Sequence, residues 1–346
     1  MTVPDPVLAD DGRPLAVTMG EPAGIGGEIA LKAWHGRVGE GLSAFFVIDD
    51  PSRLEALAGR LGLEARVEAI GSPAEAKAVF ASALPVLPVT LPAVVDFGRP
   101  DPANAGAVRE AIETAVRLAA AGDAAAVVTN PIHKQTMFRA DFPYPGHTEF
   151  LAALAGAEAP PVMMLAAEEL RVVPVSVHQS LEATVRTLDT GTIVHAGRVT
   201  AAALVRDFGV AGPRLAVAGL NPHAGEDGAF GSEETTIIGP AVEALKEAGI
   251  DATGPVPPDA LFTPRARETY DAAICMYHDQ ALIPIKALAF DRAVNVTLGL
   301  PFVRTSPDHG TALDIAGTGR ASESSLMAAL RMAGAMARHR ATARAA

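Results

Sequence analysis

His178 in "VVPVSVHQSL", His223 in "LAVAGLNPHAGE" and His278 in "AAICMYHDQ" each stand at or just past the end of an apolar, strand-like run. A neutral imidazole is a good ligand for a divalent metal, and a catalytic metal site keeps three protein ligands with a position open for substrate. Three strand-end imidazoles could converge on one side of a sheet. Their separations are far beyond any local metal motif, so only the fold can bring them together. Lys286, Asn295 and Arg304 form a second set, nine residues apart at each step, in loops flanking the apolar run "AVNVTLGL". A point charge, an amide and a guanidinium fork suit a phosphate or a carboxylate.

The remaining candidates are more scattered. His147 opens a helical pattern in "YPGHTEFLA", where Thr148 could cap the helix and the free N–H groups favour an anion. His133 in "VVTNPIHKQ" and His309 in "SPDHGTALDIAG" also follow strand-like runs into loops. Asp279, next to His278, and Asp259 in "PPDALF" are placed to act as a general base or as the carboxylate that orients a ligand. His35, His195 and His339 sit at a helix end, inside a helical pattern and in the last stretch, with nothing catalytic beside them.

The elements that must position these residues alternate in type. "PLAVTMGEPAGIGGEIALKAW" reads as a short strand near Leu15–Thr18, a Gly-rich turn and a helix. "ANAGAVREAIETAVRLAAAGD" is a helix with Asn104 as its cap, Val108, Ala111, Ile112, Ala115, Val116 and Ala119 on one face, and Gly122 as its stop. Apolar runs such as "AAAVVT", "VPVSV", "RLAVAGL", "DAAICMY" and "AVNVTLGL" alternate with helical stretches, the rhythm of an α/β fold with much parallel sheet. In such sheets ligands bind at the carboxyl ends of the strands, where these polar residues lie.

Composition narrows the function class. The 346 residues are long enough for two domains, and 32 Gly with 27 Pro suit a turn-rich globular protein. Forty acidic against 28 basic side chains leave a formal net charge of −12 with no internal basic patch, which argues against nucleic acid or anionic membrane as a partner. The basic stretch "ARHRATARAA" at the end reads as a frayed tail. Cys275 is the single cysteine, "MTVPDPVLADDGR" is acidic rather than signal-like, and no apolar run reaches the roughly 18 to 20 residues of a membrane span. A soluble, cytoplasmic protein is expected.

Taken together, "MGEPAGIGGE", "TNPIHK", "YPGHTEFLA", "GLNPHAGEDGAFGSEE", "MYHDQALIPIK", "VNVTLGLPFVRTSPDHGTALDIAG" and "ASESSLMAAL" resemble, in order, the blocks of the 4-hydroxythreonine-4-phosphate dehydrogenases of pyridoxal phosphate biosynthesis. The resemblance spans residue 19 to about 330. It implies a two-domain fold like that of isocitrate and isopropylmalate dehydrogenases, with a cleft between the domains. One domain would comprise residues 1–130 plus 290–346 and the other 131–289. It implies a homodimer whose active site is shared between subunits. Metal ligands carried over from the family fall on His178, His223 and His278, for one divalent ion such as Zn, Mg or Co. Substrate contacts fall on His147, Thr148, Lys286, Asn295 and Arg304. "DHGTALDIAG" is similar to a cofactor loop, which puts NAD, or NADP, near His309, Gly310 and Asp314.

The implied reaction is oxidation of the C3 hydroxyl of 4-phosphooxy-L-threonine, followed by loss of CO2. No residue pattern by itself points to the dinucleotide, because "GEPAGIGG" has the wrong spacing for a Rossmann turn and lacks a Walker lysine. Four positions depart from the family pattern. Glu21 and Gly27 stand where Asp and Pro are usual, Gln179 where Pro follows the first metal histidine, and Ala260 where Thr is common. Two alternatives stay open: a decarboxylating dehydrogenase of D-threonate or D-erythronate 4-phosphate, and a metal-dependent hydrolase or aldolase without a nucleotide.

Overall fold

The computed structural model describes residues 12–144 and 146–345. The described strands, in chain order, are β1 (Leu15–Thr18), β2 (Phe45–Asp49), β3 (Val67–Ala69), β4 (Leu84–Pro88), β5 (Val127–Thr129), β6 (Val162–Ala166), β7 (Arg171–Pro174), β8 (Arg214–Ala218), β9 (Asp251–Val256), β10 (Ala272–Cys275), β11 (Val294–Leu298) and β12 (Arg304–Pro307). Helices separate most of them, as the alternating periodicity predicts.

Two compact units result, one built from the residues up to Pro161 with those from Leu300 onward, the other from Val162–Gly299. These boundaries correct the division drawn from the sequence. Residues 131–161 belong to the first unit because Met137, Phe142, Phe150 and Leu151 are buried in the same apolar cluster as Val108, Ile112 and Val127. Residues 290–299 belong to the second, because β11 pairs antiparallel with β6 from Val294 opposite Ala166 to Leu298 opposite Val162.

In the first unit the strands run parallel in the order β3-β4-β2-β1-β5-β12. β1 and β2 are buried at every residue, which is why their sequences LAVT and FFVID are apolar or β-branched nearly throughout. The helix Ala105–Ala121 turns the predicted face inward and ends at Gly122 with φ +83°. Asn104 does not cap it; its Oδ1 accepts from the Ala93 N–H, 3.0 Å away. Nor is the end of the chain frayed: "ARHRATARA" continues the helix Ser324–Ala345, and the buried Arg340 donates to the Leu300 carbonyl. Alanine and arginine both propagate helix well.

In the second unit the order is β11-β6-β7-β10-β8-β9. β7, β10, β8 and β9 are mutually parallel, so their carboxyl ends open on the same edge. No helix among the described residues is long and apolar enough to cross a membrane.

Candidate functional site

The three strand-end histidines lie on that edge of the second unit, in strand order. β7 leads to His178, β10 to His278 and β8 to His223, so His278 leaves the middle strand and the others leave its two neighbours. The segment after β7 is tied to the segment after β10: Val175 N–H and Ser176 N–H donate to the Cys275 and Met276 carbonyls, and Ser176 Oγ donates again to Met276. The His178 and His278 rings are consequently neighbours, 6.5 Å between centroids with their planes at 39°.

His278 begins a helix, His278–Ala289, and its Nδ1 lies 2.7 Å from Asp279 Oδ1. A neutral imidazole that donates from Nδ1 to a carboxylate presents its Nε2 lone pair on the other side of the ring. Asp279 therefore has the geometry of an orienting acceptor rather than of a base. Asp259 is exposed in the short helix Pro258–Leu261.

His223 is presented differently. It begins a left-handed turn in which five consecutive residues, His223, Ala224, Gly225, Glu226 and Asp227, have φ between +43° and +80°. Left-handed backbone costs roughly 1–2 kcal/mol per non-glycine residue, and only Gly225 is exempt. The His223 ring lies against Phe230, 6.2 Å between centroids. Among the described residues no three metal-ligating side chains of one chain come together. Within one chain the His178 and His278 rings are neighbours, and His223 has its own ring contact with Phe230.

Sequence reasoning missed the residues that tie these loops together. Gln280, 7% exposed, accepts from Met276 N–H at 2.6 Å and donates to the Gly219 carbonyl at 2.8 Å, bridging the ends of β10 and β8. Glu234, also buried, accepts from the N–H groups of Leu220 and Asn221 just before His223. Both are polar side chains near the starts of helical segments, and only their burial marks them.

The second set of candidates divides between the units. Lys286 lies within the helix His278–Ala289 and Asn295 within β11, so neither is on a loop. The segment around Lys286 is helical because Ala281, Leu282, Ile285 and Ala289 recur at helical spacing and are buried. Arg304 opens β12 in the first unit.

In the first unit, β1, β5 and β12 are adjacent, and the loops leaving their carboxyl ends are laced together. Glu21 N–H donates to the Pro131 carbonyl at 2.8 Å, Ile25 N–H to Thr311 at 3.1 Å, and Asn130 Nδ2 to Thr18 at 3.0 Å. Gly20 is required here, since its φ is +68° and a Cβ would come 2.7 Å from the Pro131 oxygen. The buried Glu28 carboxylate receives the N–H groups of Gly317 and Ala321, holding the far end of the "DHGTALDIAG" loop against the first helix. Within that loop His309 Nδ1 is 3.0 Å from the Gly310 oxygen, and His309 Nε2 is buried with no protein partner. Gly310 and Asp314 are exposed.

Charge in this unit is unusual. Arg304 is buried, burial pushes its pKa down to about 10, and its Nη2 donates to Thr129 Oγ1 at 2.6 Å. His147 is the first residue of the helix His147–Leu154, with Gly146 rather than Thr148 at the cap position and no side-chain cap bond. Burial, reinforced by the positive charges of Arg304 and Lys134, lowers the His147 pKa to about 3. Its Nε2 is buried without a protein partner. The arrangement is a neutral imidazole beside a fixed cation, suited to an anionic, hydroxylated ligand. Burial raises the Glu21 carboxyl above its ordinary value, although the Ala23 N–H and the nearby Arg53 pull it down.

Arg53 also explains Gly27. Its guanidinium pairs with the buried Asp49, Nε 3.0 Å from Oδ1 and Nη2 2.5 Å from Oδ2, and Nη1 reaches the Pro22 carbonyl at 2.9 Å. A Cβ on Gly27 would stand 3.0 Å from that guanidinium.

Comparison with known proteins places the chain in a family. Residues 42–333 match the family described as pyridoxal phosphate biosynthetic protein PdxA. A 4-hydroxythreonine-4-phosphate dehydrogenase of Methylorubrum populi is 55% identical over 332 residues, covering 94% of this chain and 95% of the relative. The crystal structure of a 4-hydroxythreonine-4-phosphate dehydrogenase from Klebsiella pneumoniae is similar with a TM-score of 0.86 at 38% identity, covering 94% of this chain and 98% of that one. A terephthalate 1,2-cis-dihydrodioldehydrogenase from Burkholderia xenovorans is similar at a TM-score of 0.63 and 28% identity, over 93% and 98% of the two chains. With most of its length matched by the family profile and a relative more than half identical to it, this chain belongs to the pyridoxal phosphate biosynthetic protein PdxA family.

Proposed function

We propose that the chain oxidises the C3 hydroxyl of 4-phosphooxy-L-threonine with NAD or NADP, giving 2-amino-3-oxo-4-phosphooxybutanoate, which loses CO2 to form 3-amino-2-oxopropyl phosphate on the route to pyridoxal 5'-phosphate. Family membership makes it an oxidoreductase and sets aside the hydrolase and aldolase alternatives. The observation that carries the reading is the neighbouring pair His178 and His278 at the ends of adjacent parallel strands, in a chain of this family.

The donor chemistry suits a divalent ion such as Zn, Mg or Co: two neighbouring imidazoles, 6.5 Å between centroids, one of them with Asp279 2.7 Å from its Nδ1 to orient it. His223 would complete the set, with ligands drawn from two subunits. The unpartnered Nε2 of His309 likewise fits a polar group of the dinucleotide, with Gly310 and Asp314 beside it. When bound, the dinucleotide accepts the hydride and the cation supplies positive charge at the reacting oxygen and at the carbonyl that drives decarboxylation.

The chain's own residues do the rest. Arg304, held by Thr129, offers a fixed guanidinium to the phosphate or carboxylate. His147 stays neutral and contributes a hydrogen bond without adding charge. Thr148, Lys286 and Asn295 are further substrate contacts in this reading. Ala260 stands where the family usually has Thr, in a short exposed helix, and changes none of these groups.

A homodimer is supported by exposed apolar side chains in the segments that follow the three histidines. Leu181 and Val185 follow His178, Phe230 follows His223, and Ile283 and Phe290, 66% and 72% exposed, follow His278. Exposed large apolar side chains of this kind are suited to burial against a second copy of the chain.

The test is NAD reduction followed by absorbance, with 4-phosphooxy-L-threonine, D-threonate 4-phosphate and D-erythronate 4-phosphate in parallel. Turnover of the first, lost in chelator and restored by Co²⁺, Zn²⁺ or Mg²⁺, is expected. Turnover of a sugar-acid phosphate alone would overturn the substrate assignment.

A further inference from the structure

The left-handed turn that carries His223 runs against the preference of L-residues, which enter this region singly and rarely in succession. Something outside the turn must hold it. Inside it run the short-range bonds of a 3-10 turn over Pro222–Gly228, and beside these Ala224 N–H donates to the Asn221 carbonyl, Ala229 N–H to Glu226 and Phe230 N–H to Gly225. The remaining ties lead to one side chain. Glu234 Oε1 accepts from both Leu220 N–H and Asn221 N–H at 2.8 Å, and Oε2 accepts from Asn221 Nδ2 at 2.9 Å.

The turn is also shaped around that carboxylate. A Cβ on Gly225 would come 2.7 Å from Glu234 Oε2, so the one glycine of the five sits where the carboxylate needs the space. Gly219, preceding Leu220, makes room on the other side, since a Cβ there would fall 2.9 Å from both Cα and Cβ of Ala224. Glu234 itself is anchored: it is 5% exposed and begins a π-helical turn, Glu234–Ile238, that ends in the fully buried Ile238. The half-buried Glu233 also accepts from Asn221 Nδ2, at 2.8 Å, but makes none of the backbone bonds.

We propose that Glu234 is a positioning residue whose buried carboxylate holds the His223–Asp227 turn in its left-handed form and thereby presents the His223 imidazole for metal binding. The metal half of this statement rests on the function proposed above; the structural half does not. Glu234 need not touch metal or substrate. Its effect passes through the backbone of residues 220–225.

Two readouts separate the halves. Glu226, exposed in the middle of the turn, is a cleavage site for a Glu-specific endoproteinase, and cleavage there needs the backbone to leave its left-handed form. Glu234→Ala is expected to be nicked after Glu226 at least about tenfold faster than the wild-type chain, well below its melting temperature, and to bind Co²⁺ about tenfold more weakly by titration of the metal-free protein. Glu234→Gln keeps an oxygen for the two backbone N–H groups, so it should fall between the two, and it serves if the alanine variant does not fold. Adding Ala224→Gly to Glu234→Ala removes one left-handed penalty and should restore part of the Co²⁺ affinity, a rescue that a merely stabilising role for Glu234 would not produce.

A folded Glu234→Ala chain with wild-type resistance at Glu226, or with wild-type Co²⁺ affinity, overturns the proposal. If the wild-type chain takes up no Co²⁺, the metal reading fails by itself, and the nicking rate still decides whether Glu234 holds the turn.

Discussion

Asp279 Oδ1 sits 2.7 Å from Nδ1 of His278, the residue directly before it, and so orients that ring. Both residues are at the exposed start of a helix, so little of the fold depends on the pair. Asp279→Ala is expected to lower Co²⁺ affinity by about 10- to 100-fold, the usual cost of losing an outer partner of a ligating histidine, with an unchanged melting temperature in the absence of metal. Wild-type affinity in this variant would show that the contact does not orient the ring.

His147 provides a pH test with a definite sign. Its folded pKa of about 3 is below the unfolded value of about 6.5, so between those limits the unfolded chain binds more protons. Stability contributed at this site is therefore complete above pH 6.5 and declines as pH falls toward 3. Urea unfolding at pH 7 and pH 5 should show a loss in the wild-type chain that exceeds the loss in His147→Asn by up to about 2 kcal/mol. Equal losses in the two proteins would mean that the ring is accessible to protons in the folded state.

Arg304 is a buried cation whose guanidinium is braced by Thr129. Arg304→Lys keeps the charge and loses the fork; KM for the phosphorylated substrate should rise about tenfold, and by about 100-fold or more in Arg304→Ala. Steady-state kinetics on folded protein checks this, and an unchanged KM in the alanine variant would remove Arg304 from the substrate site.

Asp49 and Arg53 form a buried ion pair that also grips the Pro22 carbonyl of the first loop. Removing one partner leaves the other charge buried, so Arg53→Ala should destabilise the protein by about 3–5 kcal/mol in urea unfolding, and the double variant Asp49→Ala/Arg53→Ala by clearly less than the sum of the singles. Additive losses would indicate that water reaches the site and that the charges act separately.

Much of this protein was legible in its sequence. Apolar runs ending in polar or glycine-rich residues placed His178, His223 and His278 correctly at strand ends, because strand length and termination are local properties. The helix Ala105–Ala121 and its stop at Gly122 followed from periodicity and from glycine's freedom at positive φ. Local pattern went astray where the helix containing Lys286 was read as loop and the C-terminal helix as tail, since both mix apolar with charged or small residues and gain their buried faces from neighbouring strands.

Only the tertiary structure decided which elements are neighbours. The strand order β7-β10-β8 places His278 between the other two histidines, and no feature of the intervening sequence encodes that order. The same holds for Glu234 reaching Leu220 and Asn221 and for burial, reinforced by Arg304, lowering the pKa of His147, which depend on contacts between distant segments. Periodicity along a chain determines which face of an element is apolar; what that face meets, and which charge it leaves buried, is settled when the elements pack.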